Sequence, residues 1–376
     1  MIKTVNLREL ISPAKVRRCN DGEYPVLSMT MHDGIVLQSE RFKKSLASLD
    51  QSNYKVVSRG QLVVGFPIDE GVIYVQNTAD EGIMSPAYGV WDIQAEKVLP
   101  EYLECCLHSP QSMSYYMSKL KGTTARRRSI TTEDLLSLPI SLPDKSEQRR
   151  RLSLLSSCKD TISKSEQQLA KLDELVKSRF VEMFIGKGYP TKTVDEVSLT
   201  KGEYGAQSAS VEYDPTRPRY VRITDINDDG TLNDDVVASI NPADDEQYKL
   251  VYGDFMFARM GATVGKTYAF IEGNQIFAGY LIRYRLNREI INPRYLFWYT
   301  RLDEYWNWVK LNQSGAAQPG INAKKYGSLQ IPLPPIDEQE QFATFVEQTD
   351  KSKLAVQQSL EKLETLKKSL MQQYFG

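Results

Sequence analysis

The chain has 376 residues, 41% hydrophobic and 25% charged, with a formal net charge of −1. That length calls for two or three domains with real cores, and that composition excludes wholesale disorder. A neutral balance excludes a protein that coats nucleic acid by bulk charge and leaves only local basic patches for such contacts.

Residues 1–143 read as a first module of short β-favouring runs, among them YPVLSMTMHDG from Tyr24 and YKVVSRGQLVVGF from Tyr54, broken by Gly and Asp turns. PEYL at Pro100 opens an aromatic-rich helix. The later stretch SKLKGTTARRRSIT combines five basic residues with Thr123, Thr124 and the triplet Arg126, Arg127 and Arg128. Such a loop can grip phosphate or take guanine bidentately, or it can be a solvated basic loop before a helix.

SLPISLPDKSEQ, residues 137–148, then stops the chain on prolines and starts a long helix, giving a spacer helix over 144–184. Its apolar positions Leu155, Cys158, Ile162, Leu169, Leu172 and Val176 alternate three- and four-residue steps, with Ser165 in frame, the seam of a coiled coil. Arg149, Arg150 and Arg151 read as a solvated helix face or a protein contact.

Residues 185–334 echo the first module: KTV at Lys192 repeats KTV at Lys3, and PRYL at Pro293 repeats PEYL. RYVRITDINDDG and GDFMFARMGATVGKTYAF supply β-favouring runs, and KGEYGAQSAS and SGAAQPGIN are loops whose glutamines suit adenine. GATVGKT is one residue short of a phosphate-binding loop and has no helix start after it. A second spacer helix is expected over 335–376, entered through IPLPPIDEQEQF, with Asp337 as N-cap and Glu340 as its capping-box partner. Its seam is Val346, Val356, Leu360, Leu363 and Leu370, with Thr349, Lys353 and Lys367 in frame.

The two helix entries are one repeated element: Ser137 pairs with Ser328, an offset of 328 − 137 = 191, and the same offset carries Glu147 and Gln148 onto Glu338 and Gln339 and Phe184 onto Phe375. The expected fold is α+β: two modules of short strands and helices, joined by two long antiparallel helices in a coiled-coil spacer with an internal pseudo-two-fold. The other reading of the stripes is that each covers its own module. A helix of about 37 residues spans roughly 55 Å, on the order of 16 base pairs of duplex.

Cys19, Cys105, Cys106 and Cys158 form no CxxC pair, and His32 and His108 lie in no ligand motif, so no metal site or catalytic constellation is expected. No apolar run approaches 18 residues and the N-terminus lacks a signal-peptide core, so no membrane span and a cytoplasmic location are expected.

LPISLPDKSEQ and IPLPPIDEQEQF, each leading into a long Leu-rich helix ending in Phe, resemble the specificity subunit of Type I restriction–modification enzymes across essentially the whole chain. The resemblance implies a non-catalytic reader of double-stranded DNA: residues 1–143 and 185–334 are target-recognition domains for the two halves of a bipartite site, held apart by the spacer helices. It further implies docking of two methyltransferase subunits, which carry S-adenosylmethionine, and of motor-nuclease restriction subunits. This chain itself would bind no cofactor. The DNA-facing residues it implies are Tyr204, Gly205 and Gln207 in an early loop, Arg222 and Thr224 in RITDI, Arg259 and Thr263 in RMGATVG, and Gln318 and Asn322 in AQPGIN. In the first module they are Ser28, Thr30, Ser85, Tyr88, Thr123, Thr124 and Arg126 to Arg128, the arginine triplet standing where the family has a Gly/Gln-rich segment. The alternative is a coiled-coil scaffold joining two protein-binding modules without DNA reading. A self-contained methyltransferase or nuclease is disfavoured because neither a cofactor loop nor a catalytic tetrapeptide is found.

Overall fold

A computed structural model describes residues 2–20, 22–31, 33–41, 51–120, 129–240, 246–315 and 319–375. The chain forms two compact units, Met1–Glu166 with Gln357–Gly376, and Gln167–Val356. Each unit thus contains part of both long helices.

The first unit closes its ends on each other: Lys3–Asn6 pairs antiparallel with Pro139–Leu142. Next to this ribbon, Ile11–Pro13, Gly89–Ile93, Leu62–Val64 and Ile73–Val75 form a four-stranded sheet in that order. Helices Pro100–Leu107 and Pro110–Lys119 follow, each with a proline in the first turn, where its fixed φ suits the helix and its missing N–H costs nothing. The second unit repeats the plan. Thr191–Thr193 pairs with Gln330–Pro332, and Glu203–Tyr204, Leu281–Arg285, Asp254–Ala258 and Thr267–Ala269 form the sheet. Helices Pro293–Tyr299 and Asp303–Asn312 follow.

The long helices run over Lys145–Phe184 and Ile336–Phe375, 40 residues each. In the first unit Cys158 Sγ lies 3.6 Å from Leu363 O and Arg151 Nη1 donates to Tyr374 O at 2.6 Å. In the second, Lys353 pairs with Asp173, and Phe180 meets Phe342 edge-on with ring centroids 5.2 Å apart. Numbers rise along one helix as they fall along the other, so the packing is antiparallel in both units. Leu155, Ile162, Val176 and Val346 are buried, while Leu169, Leu172, Val356, Leu360, Leu363 and Leu370 are half-buried. The polar in-frame residues keep the register: Thr349 is buried, and Ser165, Lys353 and Lys367 half-buried. Both readings of the stripes hold locally, since Leu155 also completes the first module's core and Val176 and Val346 the second's.

Two expectations about the helix starts are corrected. Asp337 lies inside the first turn rather than at the N-cap, because the helix begins at Ile336 with Pro335 before it. In the first copy that preceding position is Asp144, whose Oδ1 accepts from the Ser146 and Glu147 N–H groups at 3.0 Å. Arg151 is not a solvated residue but buried: its Nε reaches Glu147 Oε1 at 2.9 Å and its Nη1 the Tyr102 hydroxyl at 3.1 Å.

One glutamine fixes each module to its helix. Gln148, fully buried, accepts from Leu99 N at 2.9 Å and donates to Pro143 O at 2.8 Å and Lys97 O at 3.3 Å. Gln339, also fully buried, accepts from Asn292 N at 2.9 Å and donates to Pro334 O at 2.8 Å and Ile290 O at 3.1 Å. Leu99 and Asn292 are the N-caps of the PEYL and PRYL helices. The tyrosines of those motifs complete the lock: Tyr102 donates to Ser141 O and packs on Phe375, and Tyr295 donates to Pro332 O and packs on Phe184.

Candidate nucleic-acid interface

In the second module, turns from distant parts of the sequence meet at one place because strand pairing forces them there. Gly205 passes so close to the neighbouring strand end that an added Cβ would stand 2.3 Å from Phe277 O, so no other residue fits. Ala206 N donates to Phe277 O at 2.9 Å, and Gly279 N returns a bond to Ala206 O at 2.7 Å. Arg259 N donates to Tyr280 O at 3.0 Å, Ile321 N to Arg259 O at 2.9 Å and Gly261 N to Pro319 O at 2.9 Å. Gly261, at φ +71°, makes the turn that a side-chain-bearing residue would resist.

The side chains at this meeting point are Tyr204, Arg259 and Tyr280. The guanidinium of Arg259 sits 4.9 Å from the Tyr204 ring centroid and 5.8 Å from that of Tyr280. Both rings are exposed, 41% and 54%, so the cluster faces solvent. The Tyr204 hydroxyl accepts from Ala323 N at 3.2 Å, which ties this ring to the end of the AQPGIN loop. Gln207 is exposed, with only a 3.4 Å bond to Gly205 O.

The remaining candidates of this module have structural partners. Asn322 caps the helix Ala323–Gly327 by accepting from Lys325 N at 2.9 Å. Arg222 Nη2 pairs with Asp225 Oδ1 at 2.8 Å, and the buried Asp225 also accepts from Arg222 N. Thr224 donates to the same carboxylate at 3.4 Å, and Thr263 donates to Met260 O at 3.1 Å. Gln318 lies outside the described residues, as do Thr123, Thr124, Arg126, Arg127 and Arg128 of the first module.

Four first-module candidates are described. Ser28 lies in a hairpin of Leu27–Met29 with Ile35–Leu37 and accepts from Gln38 Nε2 at 3.2 Å. Thr30 closes that hairpin's turn, its hydroxyl accepting from Asp33 N at 2.8 Å. Ser85 and Tyr88 share one turn, Tyr88 N donating to Ser85 O at 3.2 Å, while Lys55 donates to Tyr88 O. A bridge between Val26 and Ile83 holds the two turns beside each other. The ammonium of Lys55 titrates below its ordinary range, chiefly because burial penalises its charge.

Sequence reasoning passed over Tyr280. It stands in the short turn between Gln275–Phe277 and Leu281–Arg285, and the pairing that brings it to Arg259 is visible only in the fold. Among the described residues no group of His, Cys, Asp and Glu could hold a metal ion, and no helix is long and apolar enough to cross a membrane.

A family model described as the Type I restriction modification DNA specificity domain matches residues 191–366. The putative type I restriction enzyme MjaX specificity subunit of Methanocaldococcus jannaschii is 30% identical over 145 residues, 37% of this chain and 34% of that protein. The type I restriction enzyme HindI specificity subunit of Haemophilus influenzae is 24% identical over 161 residues, 41% of this chain and 35% of that protein. The chain therefore spans about a third of the length of these curated relatives in the matched part. In fold, it resembles a chain from a solved structure on complex assembly and conformational transition of the type I R-M system. That match covers 100% of this chain and 97% of the other, with a TM-score of 0.63 at 18% identity.

Proposed function

We propose that the chain is a member of the Type I restriction–modification DNA specificity family, whose model matches residues 191–366, and that it is the subunit that reads the DNA target for such an enzyme. The observation that carries this reading is the duplicated frame with unlike loops. Both modules have the same end ribbon, the same strand order in their four-stranded sheets and the same Gln and Tyr lock onto the long helices, yet their remaining strands and exposed turns differ. An equal frame with unequal loops is what two readers of different half-sites require, because base contacts specify while the frame positions.

In this reading residues 1–143 and 185–334 are the two target-recognition domains, and the helices over 144–184 and 335–376 set the unread gap between half-sites. The chain contributes binding and assembly and no chemistry of its own. Two methyltransferase subunits dock on it, carry S-adenosylmethionine and methylate adenine at N6, and restriction subunits join them for cleavage, in the cytoplasm. Tyr204, Gln207 and Arg259 are the second module's leading DNA contacts, because the Arg259 guanidinium and most of the Gln207 amide are not used up by the fold and the Tyr204 ring is exposed beside Arg259. Asn322, Arg222 and Thr224 hold the turns of this module through their own bonds to Lys325 N and Asp225.

The test is to co-express the chain with its methyltransferase partner and map N6-methyladenine across the host DNA. A bipartite motif with a fixed unread gap is expected, and removing one heptad from both helices should shorten the gap. A stable complex that methylates no bipartite motif would overturn the reading.

A further inference from the structure

This inference rests on the reading just given. Arginines of the second module are, as a rule, spent on the fold: Arg219 pairs with Asp234, Arg222 with Asp225, Arg283 with Glu203, Arg285 with Asp254 and Arg294 with Asp350. Arg259 differs. Its guanidinium has no hydrogen bond or ion pair among the described residues, and its Nε is buried without a partner. Burying part of a cation without a partner costs stability, and the fold gives it only the faces of Tyr204 and Tyr280 in exchange.

Held this way, the group is pre-organised. Two rings restrict its plane, and the backbone of Arg259 is bonded on both sides, to Tyr280 O and Ile321 N. A phosphate asks for little of this, since a flexible lysine serves it as a point charge, and exposed Lys324 stands in the adjoining helix for that purpose. A planar fork with its orientation fixed matches a base edge instead. The only base edge offering two acceptors to one guanidinium in the major groove is guanine, through O6 and N7.

We propose that Arg259 is the specificity-determining residue of the second module, reading one guanine of its half-site, with Tyr280 as a positioning residue that holds the guanidinium plane. Binding then gives Arg259 the hydrogen-bond partners that the free chain withholds.

The experiment uses the assembled methyltransferase complex and compares methylation maps for the wild type, R259K, R259A, Y280F and Y280A. R259K keeps charge and stem length, so it separates base reading from phosphate gripping even if R259A folds poorly. The expected result is a wild-type motif with a required G in one half. R259K loses about tenfold or more of that preference at this single position, with the other half-site and the gap unchanged. Y280A loosens the same position and Y280F preserves it. An R259K motif identical to the wild type at every position would overturn the inference, as would an even loss of methylation in R259A that R259K restores. In both cases the wild-type bipartite motif still stands, which separates this failure from failure of the underlying reading. A wild-type map without a bipartite motif would overturn that reading and this inference together.

Discussion

The junctions at Phe342 and Arg151 occupy the same place in the repeat, 342 − 151 = 191, and are closed by opposite chemistry. In the second unit Phe342 sits edge-on to Phe180 and Phe184, with Tyr295 stacked on Phe180 at 5.3 Å, an all-aromatic closure. In the first unit the buried Arg151 donates to the Tyr102 hydroxyl and Tyr374 O, pairs with Glu147 and lies over the Tyr374 ring at 5.1 Å. The backbone frame is common to both, because Gln148 and Gln339 make the same three bonds in each. The buried amide therefore specifies the geometry, and what fills the space beside it is free to vary. A frame that tolerates such a swap can also carry unlike loops.

The difference is sharpest under truncation. Phe342→Ala removes a ring from a fully buried aromatic cluster, and an expected loss of about 3–5 kcal/mol should appear in the unfolding of the second unit by denaturant titration. Gln148→Ala and Gln339→Ala test what the junctions share. Each strands a helix N-cap N–H and two carbonyls, at roughly 2–3 kcal/mol, and the two losses should agree. A gap of more than about 1 kcal/mol between them would break the equivalence. Arg151→Ala should cost less, about 2 kcal/mol, because Glu147 is partly solvated and keeps its pair with Arg150. Arg151→Met should recover part of that loss, since its apolar chain refills the space of the buried arginine stem, Glu147 keeps Arg150, and the Tyr102 hydroxyl is shared between Ser141 O and Tyr374 O.

What the sequence makes legible is what repeats locally. An offset of 191 places both helix entries and both seams within a residue or two, because prolines, first-turn carboxylates and three/four spacing act over short distances. Partners across the fold are another matter. Gln148 lies 148 − 99 = 49 residues from Leu99 and Gln339 lies 339 − 292 = 47 from Asn292. Both ends of each bond stand in repeated motifs, yet nothing in either motif says that they touch. Arg151 reads as a surface residue of an arginine triplet because its burial depends on Tyr102 and Tyr374, 49 and 223 residues away. At the candidate interface, Arg222 and Arg259 look alike in sequence. Asp225 three residues on was the available clue that Arg222 is occupied, whereas the Tyr204 and Tyr280 rings about Arg259 come from strand pairing alone.

The smallest effect separates the junctions by pH. The Glu147 carboxyl is pushed down to about 2, first by its hydrogen bonds from Arg150 and then by those from Arg151. A carboxylate whose folded value lies below its unfolded one stabilises the fold fully above the unfolded value, roughly 4.3. That contribution is lost as pH falls from there through about 2. At the equivalent place in the second unit Glu338 accepts from the Tyr189 hydroxyl at 2.6 Å, and Gln341 and Phe342 stand where Arg150 and Arg151 would be. Amide hydrogen exchange followed from pH 5 towards pH 2 on the order of one unit per step should therefore show protection around Tyr102 falling. Glu147→Gln should remove that part of the acid response without altering exchange around Tyr295. If the substitution leaves the acid response around Tyr102 intact, the arginine pair is not what stabilises this junction, and the contrast with Phe342 would rest on packing alone.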